Sequence, residues 1–500
     1  MKLARRSLLK LGGTALALMA LPYANIATAN TPKRVTLVLR NEPPTLDPTS
    51  QPAVAVSELS LLNIFEGLTR SNEDGTIAPC LAESWTSSGA QEYIFKLRKG
   101  VVFQDGTPFT SADVKFTYER NASATSTNKR KRIFANIASI NTPDDYTVII
   151  QLKSPSRLFP AFMSEFTASI VSSKTADSNA THPVGTGPYR LSQWIKGSSV
   201  TLEKFDGHWN ANNVTIDTVN IRFISDANAQ VNAMLSGDVD VIPSFEALDL
   251  ISQFQKDDRF VVTAGESTDV HLLCLNNKAS KLSDVRVRKA LMHAIDREMI
   301  IEGAVNGFAT PIGSQMSPIY PVFIDLTGES AYDPDAARKL LAEAGYANGL
   351  DLNFVVPSTL IYQRAAEIIQ AMFAQVGINA KIEVLEWAQW LDTVFRRKAY
   401  EISIVSQPDP WTIFNYLDPN YFYQYESEDF AKIMARAEQA ETDQEFETAM
   451  HEAQRKLASD APSGWLFSLS HVTVHSARIS GVWKNAPNKI NEMAAWRLKS

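Results

Sequence analysis

Cysteine is scarce in this sequence, with only two residues among 500. Two thiols are too few for the disulfide framework of a small secreted domain or for a four-thiolate zinc site. Cys80 follows the turn-like pair Ala78-Pro79, and Cys274 lies in the apolar run LLCL at 272–275. Because free cysteine packs as a small apolar side chain, we expect both thiols to be unpaired.

A basic excess is lacking too, since 48 Lys and Arg stand against 55 Asp and Glu, a net charge of −7. Proteins that hold nucleic acid in a groove normally carry a basic surface, so that class is excluded. The 45% hydrophobic content, with 22 Gly and 24 Pro, also excludes disordered, collagen-like and coiled-coil chains. At ~100–200 residues per domain, the length predicts two to four domains.

Long apolar runs are missing beyond the first thirty residues. Residues 1–29 combine a basic start, an apolar run at 11–21 and the small triplet Ala27-Thr28-Ala29, which is typical of an export signal cleaved near Ala29. Arg5 and Arg6 resemble the twin-arginine motif, with general secretory export as the alternative. Cleavage removes four positive charges and leaves 44 basic against 55 acidic residues, a net −11. We therefore expect a soluble mature protein in a bacterial periplasm.

Motifs of the common catalytic sites are missing as well, since the chain has no GxSxG, HExxH, P-loop or CxxC pattern. Ser126 and Lys129 have the spacing of the serine–lysine pair of penicillin-recognising enzymes, but no partner motif accompanies them. GTGP at 185–188 indicates a tight turn rather than a phosphate loop, because Pro188 removes a backbone donor. The seven histidines are scattered. We predict no enzymatic activity, no cofactor and no metal site.

What the sequence does contain is an alternation of strand and helix patterns. Thr110-x-x-Asp113 predicts a capping box at the start of a helix, and Asp333-Pro334 predicts another helix start. Ser283 is expected to cap one helix that runs to about Val305. Strand, helix, strand, short helix and strand patterns then follow from 352 to 406. This order predicts two or three α/β-type domains.

Several motifs together resemble the bacterial extracellular solute-binding proteins of family 5, the group of dipeptide- and oligopeptide-binding proteins of ABC importers. They are APCLAESW (78–85), FKLRKGV (95–101), FQDGTPFT (103–110), GTGPY (185–189), GDVD (237–240), DVRVRKA (284–290) and the segment 333–346. The motifs span nearly the whole mature chain in the order found in the family.

The resemblance implies an α/β, two-lobed periplasmic binding protein of type II, similar to cluster C, with three domains and a hinge. Domain I would comprise 30–49, 180–268 and 478–500. Domain II would be an insertion at 50–179, and domain III, the second lobe, would be 269–477. A solute would be enclosed between the lobes, and the monomeric protein would deliver it to an ABC permease and its ATPases in the inner membrane.

The resemblance also points to residues that would bind the solute. Peptide-binding members use an aspartate, on a loop that follows a strand of the second lobe, to pair with the peptide's amino terminus. This loop looks shortened here, so that position is lost, and Asp409 either replaces it or caps the following turn. The expected ligand-binding residues are Glu42, Tyr362, Arg364, Trp387, Ser406, Gln407, Asp409 and Trp411, whereas Trp390 is expected in the core.

The missing aspartate leaves the solute class open. A small peptide-like or amino-acid-derived solute such as an opine is the first hypothesis. An oligosaccharide is the second, since aromatic residues are frequent near Trp387 and Trp411, and a metal–chelator complex is the third. An exported hydrolase built on Ser126 and Lys129, or a ligand-free chaperone-like or sensory protein, are alternatives from other classes.

Overall fold

Three mixed or antiparallel sheets organise the chain in a computed structural model that describes residues 32–50 and 53–499. The predicted export signal at 1–29 lies outside the described residues. The described residues from Lys33 onward belong to one compact unit. We call the seven-stranded and four-stranded sheets with their helices the first lobe, and the six-stranded sheet with its helices the second lobe.

The seven-stranded sheet is built around Arg34–Leu39, which pairs in parallel with a strand on each side. Val35, Leu37 and Leu39 of this strand pack into one hydrophobic core and Val38 into another, because successive side chains alternate between the two faces of a sheet. In spatial order the strands are Phe260–Gly265, His471–Ser476, Val241–Ile242, Arg34–Leu39, Thr218–Phe223, Ser199–Lys204 and Tyr189–Ile195.

The four-stranded sheet is antiparallel and lies in the stretch 50–179. Its strands are, in spatial order, Ala82–Ser88, Glu92–Leu97, Thr147–Leu152 and Ile137–Asp144. The helix Ser111–Ala122 begins at the predicted capping box, where the Thr110 and Asp113 side chains cap each other's backbone. Two small sheets, Thr69–Ser71 with Ile77–Pro79 and Ile479–Ser480 with Arg497–Leu498, complete the first lobe.

The six-stranded sheet has helices on both faces. Its spatial order is Ala309–Pro311, Ser463–Leu469, Val270–Leu275, Ile402–Gln407, Leu350–Pro357 and Ile378–Leu385. Leu272 and Cys274 pack towards the helices Glu428–Gln439 and Asp443–Asp460, whereas Leu273 and Leu275 pack towards the opposite helices. Those opposite helices are Val285–His293, Arg297–Val305, Pro334–Glu343 and Leu360–Gln375. This double cover explains why Val270–Leu275 is buried at every position.

Shorter helical segments connect these elements. The α-helical segments are Val54–Ser60, Lys131–Ala135, Phe159–Phe162, Ala227–Ser236, Ser252–Gln255 and Trp387–Trp390, and Leu391–Arg396 is π-helical. Single 3₁₀ turns lie at Phe166–Ala168, Ala176–Ser178, Ala211–Asn213, Leu248–Leu250, Thr327–Ser330, Thr412–Leu417 and Met493–Ala495. Among the described residues, no helix has the length and apolar character needed to cross a bilayer.

Most predicted elements are confirmed, but the single helix expected from Ser283 to about Val305 is wrong. Asp284, not Ser283, caps the helix Val285–His293. This helix ends at His293. The Asp296 side chain then accepts hydrogen bonds from the backbone N–H groups of Glu298 and Met299, which starts the second helix, Arg297–Val305. Because an N-cap aspartate satisfies donors that a continuous helix would bond internally, it favours a new helix start. Cys80 and Cys274 are buried free thiols, as expected.

The chain crosses between the two large sheets at 266–269 and returns at 470. The strand His471–Ser476 pairs with Phe260–Gly265 of the seven-stranded sheet, although the predicted second lobe extends to 477. Sheet pairing therefore favours a return near Ser470, while the three-domain division itself stays a prediction.

Candidate functional site

The two crossings lie side by side and form a hinge. Ser267 Oγ donates a hydrogen bond of 2.6 Å to the carbonyl of Leu469, and the Leu469 N–H donates to the carbonyl of Asp269 at 2.9 Å. Few backbone segments connect the lobes here, which is the usual construction of a hinge that allows domain closure.

A cavity of about 260 Å³ lies against this hinge, and we call it the hinge cavity. Both crossings contribute to its lining, together with first-lobe segments near Val38, Val54 and Pro243. Its charged and titratable lining residues are Arg40, Glu58, Glu246, Asp269, His471 and Lys489. The cavity thus offers groups of both signs to a small solute.

Asp269 is the second-lobe carboxylate of the hinge cavity. It directly precedes Val270–Leu275 and keeps 16% of its side-chain surface exposed. Its Oδ1 lies 3.7 Å from His271 Nε2 and makes no hydrogen bond to any residue that the structure describes. Burial alone would raise the pKa of Asp269, but His271, Lys489 and Ser406 outweigh it and hold that pKa at about 2. Asp269 is therefore ionised at neutral pH.

Burial shifts the pKa values of two other lining groups towards their neutral forms. Burial raises the pKa of Glu58, an effect that the charge of Lys489 opposes. Burial, with a smaller contribution from Lys489, lowers the pKa of His471 to about 3, so this imidazole is neutral at pH 7. His471 consequently adds no positive charge to the cavity.

A second, smaller cavity of about 70 Å³ shares Val54 and Lys489 with the hinge cavity. The loop Pro408-Asp409-Pro410 of the second lobe faces first-lobe residues across it. Lys129 Nζ lies 2.8 Å from Asp409 Oδ2, so one ion pair connects the lobes at this point. Beside it, Arg130 Nε lies 2.8 Å from Glu165 Oε2. Burial raises the pKa of Glu165, and Arg130 counteracts this.

Ser406, Tyr362 and Gln407 form hydrogen bonds within the second lobe. The Tyr362 hydroxyl accepts from the Ser406 N–H and donates to Ser406 Oγ, each at 3.2 Å. Gln407 is buried, and its amide bonds Gln315 as well as the hydroxyls of Tyr421 and Tyr423. Gln407 thus orders the core of the lobe, while Ser406 helps to lower the pKa of Asp269.

Trp387, Trp390 and Trp411 differ in exposure and in the side chains that they contact. Trp387 is 49% exposed and stacks on Trp390, with centroids 5.0 Å apart and planes 7° from parallel. Trp390 is buried and donates from Nε1 to Ser403 Oγ at 2.9 Å, which confirms its expected place in the core. Trp411 has a left-handed φ of 58°, and its ring lies 4.4 Å from that of Tyr320.

Glu42 and Arg364 are already engaged elsewhere. The Glu42 carboxylate accepts hydrogen bonds from Trp194 Nε1 at 2.8 Å and from the Gly197 N–H at 3.0 Å, which fixes it to a first-lobe hairpin. Arg364 Nη2 lies 3.5 Å from Asp249 Oδ2, so it joins the second lobe to the first. Of the eight predicted residues, Asp409 alone lines either of the two cavities.

Sequence reasoning missed Asp269, Glu58 and Lys489. The sequence does distinguish Asp269, because it is a charged residue directly before an apolar strand. It also lies at the predicted boundary between domains I and III, at 268 and 269. Nothing in the sequence around Lys489 distinguishes it from other surface lysines. Its place in both cavities depends on the C-terminal segment returning to the hinge.

The serine–lysine pair has no catalytic geometry. Ser126 Oγ accepts a hydrogen bond from the Asn128 N–H at 3.2 Å in a local turn, while Lys129 binds Asp409. A nucleophilic serine needs its base within hydrogen-bond distance, whereas Lys129 forms an ion pair with Asp409. Residues 32–50 and 53–499 contain no cluster of three or more His, Cys, Asp or Glu that could hold a metal ion.

Comparison with known proteins gives the same architecture. The model of "Bacterial extracellular solute-binding proteins, family 5 Middle" matches residues 76–431. The glutathione-binding protein GsiB of Escherichia coli O1:K1 / APEC is 30% identical over 391 residues, which cover 75% of this chain and 73% of that protein.

Two solved structures extend the comparison to nearly the whole chain. The binding protein AgaA from A. tumefaciens R10, in complex with agropinic acid, is 25% identical with a TM-score of 0.76 and covers 93% of this chain and 99% of its own. The periplasmic binding protein DppA from Helicobacter pylori, in complex with the peptide STSA, is 25% identical with a TM-score of 0.77 and covers 93% and 98%. The expected two-lobed α/β fold is thereby confirmed, and the chain belongs to the bacterial extracellular solute-binding proteins of family 5.

Proposed function

We propose that this protein captures a small peptide-like or amino-acid-derived solute between its two lobes in the periplasm and delivers it to an ABC permease. The observation that carries the proposal is the hinge cavity, in which the ionised Asp269 and Lys489 offer opposite charges to one solute. Peptides, amino-acid conjugates and opines carry both ammonium and carboxylate groups. The protein acts by binding, and no catalytic step is assigned to it.

The relatives support this solute class. One has glutathione in its name, and two are described in complex with agropinic acid and with a peptide. An oligosaccharide is less well supported, because the aromatic residues that favoured it are largely in the second-lobe core. Tyr416, Phe422, Tyr423 and Tyr425 are all buried, so they offer no face on which a sugar could stack.

Capture depends on the relative affinity of the two lobe arrangements for the solute. A solute that contacts both lobes binds the closed arrangement more tightly and shifts the population towards it. Contacts between the lobes at Lys129–Asp409, Arg157–Asp443 and Arg364–Asp249 stabilise closure at three separate places. We place the hinge at 266–269 and 470, and the closed protein is the form presented to the permease.

Small-angle scattering with and without solute tests the proposal. Mature protein would be titrated with glutathione, a tripeptide, an opine and a maltooligosaccharide, and the radius of gyration compared with that of solute-free protein. We expect saturable compaction with one of the first three and none with the sugar. Compaction by the sugar alone, or turnover of a reporter ester that Ser126→Ala abolishes, would contradict the proposal.

A further inference from the structure

Asp269 is an ionised carboxylate without a hydrogen-bonding partner for Oδ1 among the described residues. This oxygen lies 3.7 Å from His271 Nε2, which is beyond hydrogen-bond distance. An ionised group loses stabilisation by water when a cavity closes, unless a hydrogen-bonded counter-charge replaces that water. Closure of the lobes therefore favours a solute that brings a positively charged donor to Asp269.

The charges of the hinge cavity leave room for such a group. Its lining holds three carboxyl groups, on Glu58, Glu246 and Asp269, and two cationic side chains, on Arg40 and Lys489. Arg40 and Glu246 form an ion pair with each other and are 56% and 52% exposed, which places this pair at the rim. The interior then holds Asp269, Glu58 and Lys489, and among them Asp269 is the carboxylate with a buried oxygen that makes no hydrogen bond within the described residues, so it is available to a solute cation.

Asp269 and Glu58 differ in how readily they ionise. Burial raises the pKa of Glu58, whereas the surroundings of Asp269 hold its pKa at about 2. Asp269 is hence the carboxylate that carries a full charge across the whole physiological pH range. Lys489 lines both cavities and can meet the opposite end of a solute that extends from one to the other.

Asp409 does not compete for this role, because both of its carboxylate oxygens lie within 2.9 Å of Lys129 Nζ. We propose that Asp269 binds the free ammonium group of the solute, and that Lys489 binds a carboxylate of the same molecule. The site then selects zwitterionic, N-terminally unblocked solutes. This assignment rests on the proposed function.

Isothermal titration calorimetry with glutathione and N-acetylglutathione tests the assignment, because acetylation removes the ammonium charge and keeps both carboxylates. We expect the wild-type protein to bind glutathione about 100-fold more tightly than the acetylated form, as charged hydrogen bonds in closed sites are strong. Asp269→Asn should reduce this ratio to within about threefold. Asp206→Asn is the control, since that carboxylate is 93% exposed and lines neither cavity, and it should retain the ratio.

Lys489→Met provides a second variant. It should weaken both probes by the same factor, on the order of tenfold, because the carboxylates are present in each. The affinities of the two probes are first compared on the wild-type protein, so this part of the test does not depend on whether the variants fold. Equal affinities on the wild type, or an unchanged ratio in Asp269→Asn, would overturn the role of Asp269 while the solute-binding function stands. Failure of both probes to bind, with no compaction by any peptide or opine, would overturn the proposed function itself.

Discussion

At the scale of single residues, Asp269 explains how the cleft can recognise a charged solute without the aspartate that peptide binders carry on a second-lobe loop. Its position before Val270–Leu275 places it at the hinge, where a bound group influences both lobes. Val270 pairs with Gln407, so the proposed site of Asp269 lies on a strand next to the one that leads into the loop where we expect the aspartate of the peptide binders to be lost.

The lowered pKa of Asp269 predicts a measurable effect of pH on stability. A carboxyl group with a pKa of about 2 in the folded protein and 3.8 as its ordinary value stabilises the fold above pH 4. That contribution is lost as the pH falls through the folded value. Urea denaturation should show that the wild type loses about 1 kcal/mol more than Asp269→Asn between pH 5 and pH 3. Equal losses in the two proteins would contradict the ionised state of Asp269.

Single residues were also the hardest part of the site to predict. Trp390 could be assigned to the core because an apolar ring in a strand–helix pattern usually packs inside. Gln407 belongs to the segment in which ligand-binding residues were predicted, yet its side-chain amide forms hydrogen bonds with Gln315 and Tyr421 inside the second lobe. Lys489 could not be predicted, because only the tertiary return of the C-terminal segment brings it to the cavities. The binding role of the eight predicted residues stays a prediction.

At the scale of elements, local signals were reliable wherever a cap or a turn residue sets the boundary. The capping box at Thr110 and Asp113 and the cap at Asp333 are present as predicted. The break before Asp296 was missed because apolar periodicity continues through it. The Asp296 cap sets the start of the second helix, and apolar periodicity alone does not indicate where that helix begins.

The turn at 185–188 provides a stability prediction for an element. A Cβ added to Gly185 would lie 1.9 Å from the carbonyl oxygen of Ile64, which belongs to rigid backbone. Gly185→Ala should therefore destabilise the protein by at least about 2 kcal/mol. Gly328 is the control, because a Cβ there has no atom within 4 Å, and Gly328→Ala should change stability by less than about 0.5 kcal/mol. Similar melting temperatures for both variants would show that the turn is not tightly packed.

At the scale of the whole molecule, the order of motifs along the chain predicted a two-lobed fold, and the comparison with solved structures confirms that fold. The predicted boundary at 477 differs from the crossing near Ser470, because the strands Ser463–Leu469 and His471–Ser476 follow each other with one residue between them. Two adjacent apolar strands look alike in sequence, although they belong to different sheets.

Closure of the molecule should depend on the ion pair between Lys129 and Asp409. Their side chains are 48% and 43% exposed, so the pair contributes at most about 1 kcal/mol and is screened by salt. Lys129→Gln should weaken glutathione binding about two- to fivefold at low salt and less at high salt. Lys115→Gln is the control, since Lys115 pairs with Glu119 within one helix. An equal effect of both substitutions would show that the ion pair between Lys129 and Asp409 does not stabilise closure.

The central claim is that the closed cleft holds a small solute that carries both an ammonium and a carboxylate group. Native mass spectrometry of mature protein purified gently from periplasm, followed by denaturing release, tests it most directly. We expect one released molecule per protein, with a primary amine that reacts with an acylating reagent and at least one carboxylate. A released neutral saccharide, or a solute whose amine is blocked, would contradict the claim.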